Sequence, residues 1–162
     1  MDTTHLRVDD NPELMLGSLL RACYRDLMEG FEPGLAAAGY GDVRLTHTPV
    51  LQPLSLRREG MRASELAALA GMTKPSIGYL IEYLEQRDYV ERVPDPSDGR
   101  AQLVRLTQRG WEMSQTGRLL VWQAEARWAD LIGREAVEEL RQRLLELVAM
   151  LGSMRRGAGK YR

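Results

Sequence analysis

Hydrophobic residues near the N-terminus recur at steps of three and four, the spacing of one face of an α-helix. They are Leu16, Leu20, Cys23, Leu27, Phe31 and Leu35. Pro12 suits a first helical turn, and Gly39 and Gly41 supply stop signals. The pattern predicts a single long helix from Pro12 to about Gly39.

A short buried helix is predicted between Val43 and Leu56, where apolar residues are dense. Pro49 fits its first turn, because the amide hydrogen that proline lacks would have no partner there. Thr46 or Thr48 is expected to be the N-cap. Gly60 separates this helix from the next one.

The next two helices are joined by a tight turn, as in a helix-turn-helix. The first spans Ser64 to Ala70, and the small Ala67 lies where the second helix packs closest. Gly71 occupies the turn, where a left-handed conformation is cheap without a Cβ. Thr73 is a suitable N-cap for the second helix, and Pro75 is tolerated in its first turn. The residues expected to face the core are Leu66, Leu69, Ala70, Ile77, Leu80, Ile81 and Leu84.

Apolar and polar residues alternate from Tyr89 to Pro94 and from Ala101 to Leu106, which predicts two strands of a hairpin. The segment between them, PDPSDGR, has two prolines and an Asp-Gly pair, which fit a turn better than a strand interior. Arg100 is expected near the tip. Two helices followed by such a hairpin make a winged helix-turn-helix.

Two helices are predicted after the hairpin. Thr107 can cap the first, which continues to Leu131, and Gly133 breaks it. Apolar residues in the second helix follow the a/d spacing of a coiled-coil seam, which favours a partner helix over packing on the chain's own core. They are Val137, Leu140, Leu144, Leu147, Leu151 and Met154.

The predicted fold is therefore mainly α: a winged helix-turn-helix module flanked by N- and C-terminal helices that form a dimerisation domain. The expected boundaries are residues 1–42 for the N-terminal helical part, 43–106 for the winged module and 107–162 for the C-terminal helical part.

Composition limits the possible functions. The 162 residues are 44% hydrophobic, enough for a core without metal or disulfides, and Cys23 is the single cysteine. With no apolar run near the roughly 20 residues of a membrane span, the cytoplasm is the expected compartment. No cofactor, metal cluster or catalytic constellation is indicated, so an enzyme is not expected.

The net charge of −1 argues against indiscriminate binding of polyanions. Residues 57–110 carry 9 basic against 8 acidic side chains, so any DNA contact must depend on a few well-placed cations. The candidates are Arg57, Arg58, Arg62, Lys74, Arg100, Arg105 and Arg109. Binding through a few cations is expected to be sensitive to salt.

The second helix of the pair is expected to enter the major groove of duplex DNA, and the hairpin arginine to enter the minor groove. Tyr79 and Tyr83 either contact the groove or pack against the hairpin, and Asp98 is expected to hold a guanidinium group rather than face phosphates. An exposed, inconsequential pair of Asp98 and Arg100 is the alternative. The predicted DNA-binding residues are Arg62, Thr73, Lys74, Pro75, Ser76, Gly78, Tyr79, Tyr83, Asp98 and Arg100.

The stretch ELAALAGMTKPSIGYLIEYLEQRDYVERVPDPSDGRAQLVRLTQRG resembles the signature of the MarR family of bacterial transcriptional regulators, and the helical flanks agree with that family's layout. The resemblance implies an obligate homodimer, joined by helices from both chain ends, on a palindromic operator. It also implies a repressor released by a small anionic or phenolic ligand or by cysteine oxidation. Two positions depart from the family pattern: Tyr79 replaces a frequent arginine, and Asp88 replaces a usual glycine.

Three residues are candidates for sensing a signal. Cys23 is either a redox-active thiol or, as we expect, a buried inert one. His47 is either a ligand for a carboxylate or phenol or a satisfied structural histidine. Trp111 either belongs to the core or lines a cleft for an aromatic ligand.

The expected function is a homodimeric, sequence-specific DNA-binding regulator, with a repressor favoured over an activator. Two alternatives stay open. One is a protein-interaction module that uses the hairpin or the tyrosine-rich helix to hold a protein partner. The other is a redox-sensing regulator that acts through Cys23.

Overall fold

The computed structural model describes residues 15–158, with side chains to residue 152. In this part of the chain, helices and a two-stranded antiparallel hairpin follow one another in the predicted order. The elements are α1 (Leu16–Glu29), α2 (Phe31–Ala37), a 3-10 turn (Leu45–His47), α3 (Thr48–Ser55), α4 (Ala63–Ala70), α5 (Lys74–Glu85), β1 (Val90–Asp95), β2 (Asp98–Leu106), α6 (Gln108–Ile132) and α7 (Arg134–Ala158).

The N-terminal segment forms two helices, so the prediction of one continuous helix is wrong. The first ends at Glu29, with Gly30 as its C-cap, and the second begins at Phe31. Pro33 explains the break, because proline clashes with the carbonyl four residues back and is tolerated only in a first turn. The predicted start at Pro12 lies outside the described residues.

Helix α3 forms where it was predicted, with Pro49 in its first turn, but its N-cap is His47 and no side chain caps it. The Thr48 hydroxyl instead donates to the Leu45 carbonyl oxygen at 2.7 Å. The expected threonine cap is therefore wrong, because a preceding 3-10 turn already occupies the end of the helix.

The helix-turn-helix has the predicted local chemistry. Gly71 adopts φ 63°, in the left-handed region, and ends α4. The Thr73 hydroxyl accepts the Ser76 amide, as expected of the N-cap of α5. Leu69 differs from the prediction, because 65% of its surface is exposed while Leu66 and Ala67 fill the inward face of α4.

The second strand begins three residues earlier than predicted, whereas the first has the predicted length and is shifted by one residue. Their register runs from Val90 opposite Leu106 to Pro94 opposite Gln102, and then jumps to Asp95 opposite Asp98. The three residues at 99–101 are therefore a bulge in β2, and the tip itself is only two residues long. Arg100 lies in this bulge rather than at the tip.

A short bridge fixes the hairpin to the helices. The backbone amides of Met61 and Val104 each donate to the other residue's carbonyl at 2.9 Å. Before the hairpin, Asp88 has φ 59°, so an aspartate takes the left-handed conformation that ends the helical segment. The residue sets the chain direction from α5 into β1.

The core of the winged part draws on every element from α2 to the start of α6. Its buried hydrophobic side chains are Leu35, Val43, Val50, Leu51, Leu54, Met61, Leu66, Ala67, Ile77, Ile81, Leu84, Tyr89, Val90, Val104, Leu106 and Met113. The chain divides into two compact units, one ending at Val121 and one beginning at Trp122. The predicted dimerisation boundary at residue 107 stays a prediction.

The two C-terminal helices form as predicted. The Thr107 hydroxyl accepts the Gly110 amide at 3.1 Å, and Gly133, with φ 90°, separates α6 from α7. Among the described residues, no helix is long and apolar enough to cross a membrane.

Replacing Gly110 with alanine is expected to destabilise the fold. A Cβ at this position would overlap the Tyr89 carbonyl oxygen, which is a backbone atom and not the end of a flexible side chain. We expect the free energy of unfolding in urea to fall by about 1–3 kcal/mol. Gly17→Ala is the matched control, because it also lies in a first helical turn but has open space around it. An unchanged stability in Gly110→Ala would show that this contact relaxes at no cost.

Candidate nucleic-acid interface

Helix α5 presents a polar outward face opposite its buried one. Ile77, Ile81 and Leu84 are fully buried, whereas Lys74 and Pro75 are exposed and 74% of the Tyr79 surface is accessible. A Cβ added to Gly78 would meet nothing within 4 Å, so the backbone is open on this side. A flat, open helix face of this kind can approach base edges closely.

The hydroxyls of Thr73 and Ser76 lie 2.8 Å apart at the start of α5. They form the N-cap, and each hydroxyl keeps a further position for a hydrogen bond. Both residues were predicted at the interface, and both lie on the exposed N-terminal turn beside Lys74. A helix N-terminus with free donors favours phosphate oxygens.

Tyr83 does not lie with the outward residues. Its ring stacks on His47, with centroids 4.5 Å apart, and the Arg87 guanidinium lies 3.6 Å from its centroid. The hydroxyl donates to the Asp42 carbonyl oxygen at 2.8 Å. Both the face and the hydroxyl of Tyr83 are therefore occupied within the protein, so the structure does not support the predicted DNA contact of this residue.

Arg62, at the start of α4, is held by the hairpin. Its Nε donates to Asp95 Oδ2 at 2.8 Å, and one terminal nitrogen lies 2.6 Å from the same oxygen. The other carboxylate oxygen, Oδ1, accepts the amide and the hydroxyl of Ser97. This pair joins the helix-turn-helix to the hairpin tip.

Asp98 was predicted to hold a guanidinium, but it is the outer partner in this arrangement. Its Oδ2 lies 3.5 Å from Arg62, and its Oδ1 accepts the Arg100 backbone amide at 3.2 Å. The principal partner is Asp95, which sequence reasoning missed. The signal was present in Asp-Pro-Ser, since an aspartate commonly accepts the amide two residues on and closes a turn.

Several arginines near the candidate interface are engaged by other side chains of the protein. Arg105 pairs with Glu91 at 2.8 Å, Arg109 donates to the Tyr89 hydroxyl, and Arg58 lies over the ring of Trp111. In the described part of the chain, no ion pair involves Lys74 or Arg100. These two cations are the ones left available to phosphates.

The three candidate sensing residues have different environments. His47 is buried, with 6% exposed, and its Nδ1 accepts the Arg44 amide at 2.9 Å. Burial lowers the pKa of His47, and the nearby Arg44 and Arg87 lower it further. These contacts favour a structural role for His47 over ligand binding. Cys23 is exposed in this chain, which corrects the expectation of a buried thiol, and Trp111 is partly buried against the core.

The helix pair, the outward face of α5 and the anchored hairpin define a winged helix-turn-helix DNA-binding protein. The model of the MarR family matches residues 45–101, which hold α3 to α5 and most of the hairpin. Transcriptional regulation is the activity of this family, and its members are not enzymes.

Solved structures agree over most of the chain. CouR from Rhodococcus jostii RHA1, bound to p-coumaroyl-CoA, is 27% identical, with a TM-score of 0.64 over 81% of this chain and 90% of that one. The transcriptional repressor CouR on a 23-mer DNA duplex is 26% identical, with a TM-score of 0.64 over 85% and 92%. A probable transcriptional regulator from Pseudomonas aeruginosa is 26% identical, with a TM-score of 0.63 over 87% and 99%. No curated protein matches the chain. The winged module of the chain is therefore similar to that of the MarR family.

The ion pair between hairpin and α4 predicts a pH dependence of stability. Hydrogen bonds from the Ser97 hydroxyl and amide, and then from Arg62, lower the pKa of Asp95 from 3.8 to about 2. A carboxyl whose pKa is lower in the folded state stabilises the fold above its unfolded pKa. This stabilisation is lost as the pH falls from about 4 to about 2.

The Asp95→Asn variant keeps the shape of the side chain but not its charge. We expect it to be less stable than the natural chain at pH 7 in urea unfolding, with the difference shrinking as the pH falls below about 4. Asp98→Asn is the control, and its effect is expected to be smaller because Asp98 is the more distant partner of Arg62. A difference for Asp95→Asn that does not change with pH would contradict the role of its charge.

Proposed function

We propose that the protein is a homodimeric repressor that binds a palindromic operator, with α5 in the major groove and Arg100 in the adjacent minor groove. One observation carries the proposal: among the cations of residues 57–110, all of which the structure describes, only the side chains of Lys74 and Arg100 make no ion pair, hydrogen bond or aromatic contact, and they belong to the helix and the hairpin of the winged module. In a dimer, two such modules would occupy half-sites whose centres are about 10 base pairs apart.

The proposed DNA-binding set follows from the environments of the residues. Lys74, Ser76 and the helix N-terminus would position α5 on phosphates, while Tyr79 and the open backbone at Gly78 would face the bases. Thr73 and Pro75 shape this first turn. Arg62 and Asp98 would act indirectly, because they hold the hairpin and its Arg100 in place.

Apolar surface on single helices supports the homodimer. In α7 the leucines of the a/d series are exposed, and in α1 no residue is buried. Surfaces of this kind are rare on soluble monomers and favour a partner. The repressor role is supported by the relative that carries that description on DNA, at 26% identity.

We further propose release from DNA by a small aromatic or acyl anion. Trp111 is an aromatic face with the Arg58 guanidinium 5.1 Å from the ring centroid, so a flat anion would find both stacking and charge there. A relative bound to p-coumaroyl-CoA supports a ligand of this chemistry. Oxidation of Cys23, whose side chain is exposed in the single chain, is the second candidate signal.

Selection of bound fragments from random DNA tests the proposal directly. The expected result is an inverted repeat whose binding weakens steeply with salt. A protein-interaction module on the same fold would select no sequence. No enrichment would therefore favour that alternative.

Arg100→Ala is expected to weaken operator binding by about tenfold or more, since the variant loses a minor-groove or phosphate contact in each half-site. The slope of log affinity against log salt should become shallower by about 0.9 for each lost contact. Fluorescence anisotropy at several salt concentrations measures both quantities. Dimerisation should be unchanged.

The matched control is Arg105→Ala, which removes an arginine from the same hairpin that is already paired with Glu91. It is expected to change affinity and salt slope much less. Equal effects of the two substitutions would show that hairpin charge in general, and not Arg100, supports binding.

Leu144→Glu is expected to weaken dimerisation by at least about tenfold, because it places a carboxylate on the proposed apolar seam. Analytical ultracentrifugation measures the dissociation constant, and circular dichroism checks that the helices remain. Gln142→Glu adds the same group two positions away, on the opposite face of α7, and should leave the dimer intact. A natural chain that sediments as a monomer would overturn the homodimer.

A further inference from the structure

The loop between α2 and the 3-10 turn makes polar contacts with the recognition helix α5 and the base of the hairpin. The backbone oxygen of Asp42 accepts the Tyr83 hydroxyl at 2.8 Å, and its Oδ1 accepts the Tyr89 hydroxyl at 2.6 Å. Its Oδ2 lies 3.7 Å from Arg87 Nε. Asp42 thus binds Tyr83 in the C-terminal part of α5, Arg87 two residues beyond its end, and Tyr89, which leads into β1.

The same cluster reaches the start of α6. The Tyr89 hydroxyl oxygen accepts Arg109 at 3.0 Å while donating to Asp42, and the Arg109 guanidinium lies 4.8 Å from the Tyr89 ring centroid. Tyr40 packs edge-on against Tyr89. Burial, and then the bond to Asp42, raise the pKa of Tyr89 to about 12, so its hydroxyl remains a donor at neutral pH.

These hydrogen bonds restrict the orientation of α5 in a way that packing against the core does not. The inward face of α5 is held by Ile77, Ile81 and Leu84, and apolar contacts are non-directional, so they allow a helix to rotate or slide by small amounts. Hydrogen bonds weaken steeply when their angles change. A binding constellation must be held to about 0.5 Å and 10–20°, which is within the range that such bonds restrict.

We propose that Asp42 is a positioning residue that sets the orientation of α5 relative to the hairpin and so determines how well the protein distinguishes its operator from other DNA. The inference rests on the proposed function. Asp42 itself contacts no DNA in this scheme. Its loss should reduce specific binding, which needs exact placement, more than non-specific binding, which depends on charge.

The experiment compares two affinities of the full-length protein at one salt concentration, one for the selected operator and one for a scrambled duplex. In Asp42→Ala, operator affinity should fall about tenfold, the order of one mismatched base pair, while the scrambled duplex changes less than about twofold. Tyr83→Phe should also lower the ratio of operator affinity to scrambled-duplex affinity. Asp42→Asn should recover part of it, because its amide oxygen can still accept Tyr89.

Tyr40→Phe is the matched control. It removes a hydroxyl from the same cluster that makes no hydrogen bond within residues 15–158, and it keeps the ring against Tyr89. Its ratio should equal that of the natural chain. Each variant is measured where circular dichroism shows it folded, and Tyr83→Phe carries the test if Asp42→Ala does not fold.

Two outcomes overturn different claims. If the natural chain prefers its operator and the Asp42 and Tyr83 variants keep the same ratio, the positioning role is wrong and the proposed function stands. The same conclusion follows if both affinities fall equally, because the ratio of operator affinity to scrambled-duplex affinity is then unchanged. If the natural chain shows no preference for any sequence, the proposed function fails, and the inference with it.

Discussion

The structure depends on one constraint: α5 must bury one face completely while its opposite face stays bare. Ile77, Ile81 and Leu84 satisfy the first condition, and Lys74 and Tyr79 satisfy the second. Hydrophobic burial supplies most of the free energy that holds this helix against the core. The other contacts of the winged module restrict the orientation of α5 while this face is buried.

Charged side chains in the winged module serve more to hold its elements in place than to attract an anionic partner. In the central third of the chain, basic and acidic side chains nearly balance, and several arginines pair within the fold. The pair between Arg62 and Asp95 connects α4 to the hairpin, and Ser97 satisfies the remaining carboxylate oxygen. Internal pairing thus removes most of the charge that would bind any polyanion, and leaves a small number of cations where geometry selects the partner.

Local rules predicted most of the fold. Gly71, Thr73 and Gly133 each mark a helix end by a conformation or hydrogen bond that involves only neighbouring residues, and such features can be derived from sequence. Pro33 also carried a local signal for the break after α1. A six-residue apolar stripe was given more weight, although a stripe can continue across two helices of similar direction.

Features that depend on distant residues could not be predicted in this way. Arg62 and Asp95 are 33 positions apart, and Tyr83 and Asp42 are 41 apart, so no periodicity connects them. The exposure of Cys23 was mispredicted for a related reason. Cys23 lies on an apolar stripe, and a single sequence does not show whether such a stripe packs on its own core or on a second chain. The position of the candidate site and its exposed residues were therefore predicted from the sequence. The side chains that hold those residues in place were not.

The tyrosines of α5 show how the site departs from the pattern that its family resemblance implied. Tyr79 replaces a frequent arginine and remains outward, so the exposed face of this helix turn presents a phenol instead of a cation. Tyr83 faces inward and docks the helix on the Asp42 loop, with the Arg87 guanidinium over its ring. A helix with fewer cations grips phosphates less strongly, and discrimination then depends more on how exactly the helix is placed. In the proposed binding mode, the polar contacts of Tyr83 behind α5 would supply the placement that the few cations on its exposed face do not.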